Sequence, residues 1–348
     1  PLEPRGPVEH DRDRRSDRPL GGGDVHEESS IRCHGVLRGG VSSEYEVSLQ
    51  TGGAVLKNLP KHFGKADVLI DPEGQWHLNG WAMQPEQVFA RIDVAFNALH
   101  GYYGEDGKVQ KLLERHGVPY TGSRPLASAF GMNKAFAKRH FDAAGIRTPY
   151  YKILEHGDDI ARAYREFPQP SIIKPLSGGS SVGIRVARTF HEFTGAAEEA
   201  FVYSSRLLLE EYIHGREGTC GILENFRGEK LYALPPIEVV LPHGRDFFDF
   251  ESKYGGISRT VCPASFSHDE KEEIMDMARR AHETLGARHY SRSDFIISKR
   301  GIYILETNTL PGLTEESLLP KSCDAVGCSF TDFLNHTLSL ALGGRQSV

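Results

Sequence analysis

Four polar side chains, Arg292, Asp294, Glu306 and Asn308, have types and spacing that could do chemistry. They sit in the stretch SRSDFIISKRGIYILETNTLPGLTEESLLP, residues 291–320. Residues 293–298 and 302–306 are rich in β-branched and aromatic side chains and read as two strands. Lys299-Arg300-Gly301 separates them, with Gly301 free to take positive φ. Folding this hairpin about Arg300 sets Asp294 opposite Glu306 and Arg292 opposite Asn308. Strand side chains alternate with period two, so all four share one face. Two carboxylates, an amide oxygen and a guanidinium on one face are costly to bury without a counter-ion. A few hard oxygen donors that leave room for phosphate suit Mg²⁺. The competing reading is an exposed, salt-bridged strand face, and spacing alone does not separate the two.

Other candidates lie upstream. Glu44 sits in GGVSSEYEVSL, where a strand, a glycine turn and a helix opening near Ser42 or Ser43 form a βα unit. Helix N-terminal amides attract anions there. Glu44 is either a capping carboxylate or a partner for a substrate ammonium. His100 ends a predicted strand at 92–99 and precedes GYYGEDG, where open α/β sheets place ligands. The alternative is a buried imidazole satisfied by backbone. Lys134 and Lys138 lie one helical turn apart, and Lys174 ends a short strand. The loop LSGGSSVG follows, with Ser180 and Ser181 among its glycines. Another strand comes next, so the loop reads as a hairpin tip able to fold over phosphates. Glu210, Glu211 and Glu217 are candidates to bond adenine and ribose, or simply a solvated edge. FFDFESKY, holding Lys253 and Tyr254, lies in a long segment of poor periodicity, the pattern of a lid.

Composition narrows the class. The chain has 348 residues, 39% hydrophobic and 25% charged, with net charge −6. That fits a globular chain of two or three domains. Mild acidity and the lack of a basic cluster argue against a nucleic-acid partner. Five scattered cysteines form no CxxC, and sixteen histidines form no HExxH. No apolar run or signal pattern points to a membrane, and a reducing cytoplasm fits best. GxGxxG and P-loop patterns are both absent.

The positioning elements follow in order. Residues 1–30 are poor in apolar side chains and read as a disordered tail. Order begins with a strand at 31–37. Helices are expected at 108–115 and 125–144, the latter stopped by Gly145. Capping boxes at Thr189/Glu192 and Ser267/Glu270 open two more, the second spanning 268–285. A last helix covers 331–342. Arg227-Gly228 closes a hairpin between 218–223 and 230–234.

These stretches together resemble the D-alanine–D-alanine ligases. GGVSSEYEVSL, LHGYYGEDGKVQKLLERHGVPYTG, MNK, IIKPLSGGSSVG, FFDFESKY, CPA, RSDF and ETNTLPGLTEESLLP occur in that family's order over about 31–342. The resemblance implies an α/β, three-domain ATP-grasp fold. Its parts would be an N-terminal Rossmann-like substrate domain at 31–122, a central subdomain at 123–211 and a C-terminal subdomain at 212–348. It implies ATP-dependent joining of two D-alanines through a D-alanyl phosphate, with two Mg²⁺ ions, or Mn²⁺ in their place, and a homodimer. Asp294, Glu306 and Asn308 match the metal ligands. Arg292 and the Gly312 N–H match the oxyanion hole. Lys134, Lys174, Lys253 and Ser181 match phosphate contacts, Glu210 the adenine contact and Glu217 the ribose contact. Glu44, with His100 nearby, matches the holder of the first D-alanine ammonium. Ser180 and Tyr254 match the pair tying loop and lid to Glu44. Ser317 matches a contact to the second D-alanine carboxylate. Some members of the family couple D-alanine to D-lactate and tend to carry histidine in the lid; Lys253-Tyr254 favours an amine acceptor. Another rival is an ATP-grasp protein that binds nucleotide without turnover, but the residues that the chemistry needs are present. Arg38, in place of the family's usual small or apolar residue, could clash with or redirect the first turn. Phe248 and Phe250 replace frequent tyrosines.

Overall fold

The computed structural model describes residues 33–61, 63–176, 183–240 and 259–343. The expectations for residues 1–30, Ser180, Ser181, Phe248, Phe250, Lys253 and Tyr254 lie outside them. The first sheet contains β1 (Cys33–Gly39), β2 (Gly64–Ile70), β3 (Trp76–Leu78), β4 (Trp81–Met83) and β5 (Val94–Asn97), in the order β4-β3-β2-β1-β5. β1 runs parallel to β2 and to β5. The helix α1 (Tyr45–Asn58) crosses over between β1 and β2, the parallel connection that needs a helix. Arg38 does not redirect the turn. Its guanidinium forms a bidentate pair with Asp67, with both bonds at 2.6 Å. Its stem lies on Gly52 of α1, where an added Cβ would stand 2.5 Å from Arg38 Cβ. After α2 (Pro85–Phe89) the expected 92–99 strand is shorter, as β5, and α3 (Lys108–Arg115) spans the residues expected for it.

The expected helix at 125–144 is two helices. α4 (Pro125–Met132) ends at Asn133, and α5 (Lys134–Ala143) starts there. Asn133 takes extended backbone, and its Oδ1 accepts from the Phe136 N–H at 3.2 Å. An N-cap side chain that can satisfy an orphan amide stops one helix and starts the next. The break makes Lys134 the first residue of α5.

The second sheet comprises β6 (Tyr151–Glu155), β7 (Ser171–Pro175), β8 (Arg185–Ala187) and β9 (Arg206–Glu211), in the order β6-β9-β7-β8. α6 (Ile160–Glu166) and α7 (Phe190–Phe201) accompany it, and the Thr189/Glu192 capping box opens α7. The third sheet has β10 (Arg216–Phe226), β11 (Glu229–Ala233), β12 (Ile237–Val240), β13 (Arg259–Val261), β14 (Tyr290–Ser298) and β15 (Gly301–Asn308). Their path is β13-β12-β10-β14-β15, with β11 beside β10. Arg227 and Gly228 both take positive φ in the β10–β11 turn.

α8 (His268–Leu285) packs on one face of this third sheet, as do parts of α5. Ile274, Met277 and Ala281 meet Cys220, Ile222, Phe295, Ile297 and Ile304 there, with Phe141 of α5 in the same core. Because strands alternate, the neighbouring residues in sequence must point to the other face. Two helices end the described chain, α9 (Leu318–Asp324) and α10 (Phe330–Ala341). The sequence reading missed α9. α10 shares a core with Val36, Val55 and Phe96 of the first sheet and α1.

Candidate functional site

The face of the third sheet opposite α8 carries the hairpin's polar residues. Asp294 pairs with Glu306, and Arg292 with Asn308, as the sequence predicts. The turn that delivers them differs. Ser298 pairs with Gly301, so the loop is two residues rather than three. A bulge between Asp294 and Phe295 then restores the predicted partners, with Leu305 as the extra residue. Leu305 packs with Ile213, Ile296 and Tyr303.

Arg292 donates from Nε and Nη2 to the two oxygens of Asp294 at 2.9 and 2.8 Å. Asn308 Nδ2 lies 3.4 Å from Asp294 Oδ2. Thr219, opposite Asp294 on β10, donates its hydroxyl to Asp294 Oδ1 at 2.7 Å. Glu217 lies two residues earlier on β10 and so projects to the same face. The face is therefore a carboxylate–amide cluster with an internal guanidinium as counter-ion, and it is only partly exposed. Behind it, the Ser293 hydroxyl bonds Thr307 Oγ1 at 2.8 Å, pointing away from the site.

The donor set fits a hard divalent cation in part. Asp294, Glu306 and Asn308 supply hard oxygens. Among the described residues no three His, Cys, Asp or Glu side chains converge. A Mg²⁺ ion held here would need phosphate and water to complete its shell, the habit of that ion at nucleotide sites.

The loop after β15 brings Gly312 and Ser317 together. A Cβ on Gly312 would stand 3.1 Å from Ser317 Oγ. Ser317 Oγ accepts from the Thr314 N–H at 3.0 Å, which fixes the loop that enters α9.

Glu44 occupies the N-cap position of α1 but makes no side-chain capping bond. The capping alternative is thus not realised. Its carboxylate instead approaches Gly101, where an added Cβ would stand 2.9 Å from Glu44 Oε1. His100 is buried, but side chains satisfy it, not backbone. Its Nδ1 lies 3.3 Å from Glu105 Oε1 and its Nε2 lies 2.9 Å from Thr51 Oγ1. A carboxylate only accepts, so Nδ1 donates to Glu105, while the Thr51 hydroxyl holds the other ring nitrogen. Glu105 also takes the Gly101 N–H at 3.0 Å. One carboxylate thus sets both the imidazole and the glycine backbone beside Glu44.

Lys134, Lys174 and Glu210 lie where α5 meets the second sheet. The Lys134 N–H donates to Leu176 O at 3.2 Å, which seats α5 against the end of β7. Glu210 is buried between Lys174 and Lys138, each forming an ion pair with it. Burial penalises its charge, yet Lys138 and Lys174 together hold its carboxyl below the ordinary carboxylate range. Glu211 turns elsewhere, pairing with Arg300 at 3.0 Å at the hairpin tip. Sequence reasoning missed Thr219, Thr51 and the role of Lys138. Lys138 had a signal, one turn from Lys134; the two threonines had none.

Comparison with known proteins defines the class first. The Vibrio cholerae O1 structure described as D-alanyl-alanine synthetase A superposes with a TM-score of 0.80 at 32% identity, covering 90% of this chain and 99% of that one. A D-Ala:D-Ser ligase, VanG from Enterococcus faecalis, gives a TM-score of 0.78 at 30% identity, over 89% of this chain and 99% of that one. These neighbours have the ATP-grasp architecture, and the three sheets here are of that class.

Sequence comparison then narrows the class. The D-ala D-ala ligase C-terminus family matches residues 141–339, and the D-ala D-ala ligase N-terminus family matches residues 79–123. A D-alanine–D-alanine ligase of Geotalea uraniireducens (strain Rf4) is 42% identical over 311 residues, 88% of this chain and 94% of that protein. The chain belongs to the D-alanine–D-alanine ligase family. Among the described residues no helix is long and apolar enough to cross a membrane.

Proposed function

We propose that this enzyme uses ATP to join two D-alanines into D-alanyl-D-alanine for peptidoglycan precursors. The observation that carries the reading is the convergence of Arg292, Asp294, Glu306 and Asn308 on one sheet face in a chain of this family. A carboxylate is a poor electrophile, so it must first be activated. A carboxylate oxygen of the first D-alanine attacks the γ-phosphorus, and ADP leaves. The amine of the second D-alanine then attacks the acyl phosphate carbon, and phosphate departs with that oxygen. Charge on the phosphoryl group and on the tetrahedral oxyanion must be neutralised in place.

Asp294, Glu306 and Asn308 would hold Mg²⁺, two ions by family resemblance. When bound, those ions neutralise phosphate charge. Arg292 and the Gly312 N–H face the oxyanion. Glu44, set beside Gly101 and His100, takes the first ammonium, and Ser317 the second carboxylate. Lys134 and Lys174 reach phosphates, joined by Ser181 and Lys253. Glu210 and Glu217 take adenine and ribose, while Ser180 and Tyr254 tie loop and lid to Glu44. The three sheets correspond to domains at 31–122, 123–211 and 212–348. A cytoplasmic homodimer with no nucleic-acid or membrane partner completes the reading.

The test is phosphate release and product mass. Release should need ATP and D-alanine together, with D-alanyl-D-alanine as product. Coupling to D-lactate or D-serine with negligible D-alanyl-D-alanine would overturn the acceptor assignment. Release with ATP alone, unchanged by D-alanine, would overturn the ligase reading.

A further inference from the structure

Three charged side chains are buried together between α5 and the second sheet. Lys138 is 0% exposed, Glu210 1% and Lys174 6%. Lys138 meets Glu210 Oε1, and Lys174 meets Oε2. Lys138 also donates to Thr148 Oγ1 at 2.5 Å, and its ammonium lies 5.4 Å from the Tyr151 ring centre. Three directions are thus used for an ammonium with three donors. The Thr148 hydroxyl passes the link on, donating to Ile304 O at 2.9 Å. Ile304 belongs to β15, two residues before Glu306.

Two cations on one buried anion are more than an anchor needs. A single buried pair already carries a desolvation cost, and a second lysine adds repulsion. The surplus makes sense if one lysine has a second destination. Lys174 lies near the end of β7, three residues before the glycine–serine stretch in sequence, and is assigned to phosphate in the proposed function. If Lys174 turned to phosphate with no substitute, Glu210 would be left buried and uncompensated.

We propose that Lys138 is a positioning residue, the standing counter-ion that keeps Glu210 charged and aimed while Lys174 serves the nucleotide's phosphates. Through Thr148 it also ties that contact to the catalytic hairpin. The inference rests on the reading of Glu210 and Lys174 as nucleotide contacts. The groups that face Glu210 are Lys138 of α5 and Lys174 of β7. Asp142 of α5 and Tyr151 of β6, which bond each other at 3.2 Å, flank Lys138.

Lys138→Met should raise KM for ATP about tenfold or more and leave KM for D-alanine within about twofold. The rise should steepen from pH 8 to pH 6, because Glu210 then takes up a proton that the wild type refuses. In its effect on KM for ATP, Lys138 acts through Glu210. Lys138→Met/Glu210→Gln should therefore match Glu210→Gln alone in KM for ATP. That comparison works even if Lys138→Met does not fold. A double variant much worse for ATP than Glu210→Gln, or equal damage to both KM values, would overturn the inference. The nucleotide reading fails separately: Glu210→Gln would then leave KM for ATP unchanged.

Discussion

Asp294 and Glu306 face each other across the β14–β15 hairpin only because Leu305 is bulged out of the pairing between them and the turn. A two-residue loop without the bulge would set Asp294 opposite Leu305. The extra residue also bends the strand just below the polar cluster. The site's central pair is therefore a property of the bulge as much as of the side chains.

Glu306→Gln keeps the shape and removes a charge that the account assigns to Mg²⁺. Turnover should fall by roughly 10²-fold, and the Mg²⁺ concentration for half-maximal rate should rise. Arg292→Ala should cost a similar factor, the usual scale for losing one oxyanion donor. Circular dichroism of Glu306→Gln should match that of the wild type. Wild-type turnover in either variant would place the chemistry elsewhere.

Thr219→Val tests the support beneath Asp294. The hydroxyl is 2.7 Å from Asp294 Oδ1, and valine fills the same volume without it. A hydrogen bond to a charged group contributes about 1.5–3 kcal/mol. On the order of a tenfold loss in kcat/KM for ATP is expected, with D-alanine binding little changed. A kinetic profile identical to wild type would show that Asp294 is held without it.

His289 predicts an acid weakness that is independent of catalysis. It takes φ +67°, and its Nδ1 accepts the Gly122 N–H at 3.2 Å, joining the loop after the first sheet to the third. Burial, then the neighbouring Arg288, pushes its imidazole down to about 3. The unfolded histidine takes up its proton near pH 6.5, while the folded one refuses it until near pH 3. Stability is thus fully present above the unfolded value and is lost as pH falls through that window. Between pH 7 and pH 5 the loss from this group is about 2 kcal/mol. His289→Asn tolerates the left-handed backbone and does not titrate. Urea denaturation at both pH values should show the pH-dependent loss shrink by about that amount. An unchanged difference would contradict the assignment.

Much of this was legible in the sequence because the signals were local. Ser267/Glu270 and Thr189/Glu192 opened their helices where capping chemistry predicts. The pairing of Asp294 with Glu306 was read correctly, but through a three-residue turn that does not exist. A bulge leaves no local mark when the extra residue is an ordinary leucine. The break at Asn133 was missed because Met, Asn and Lys fit a continuous helix, and only the cap geometry divides them. Arg38 looked disruptive because its partner Asp67 is 29 positions away and Gly52 supplies the room. Thr219 and Thr51 were invisible for the same reason: their importance comes from what lies across the sheet or the cleft.

The central claim is that ATP activates a D-alanine carboxylate before the amine attacks it. D-alanine labelled with ¹⁸O in both carboxylate oxygens, supplied with unlabelled ATP, tests this directly. Inorganic phosphate should carry one ¹⁸O for every dipeptide formed. Phosphate free of label, with dipeptide still accumulating, would contradict it.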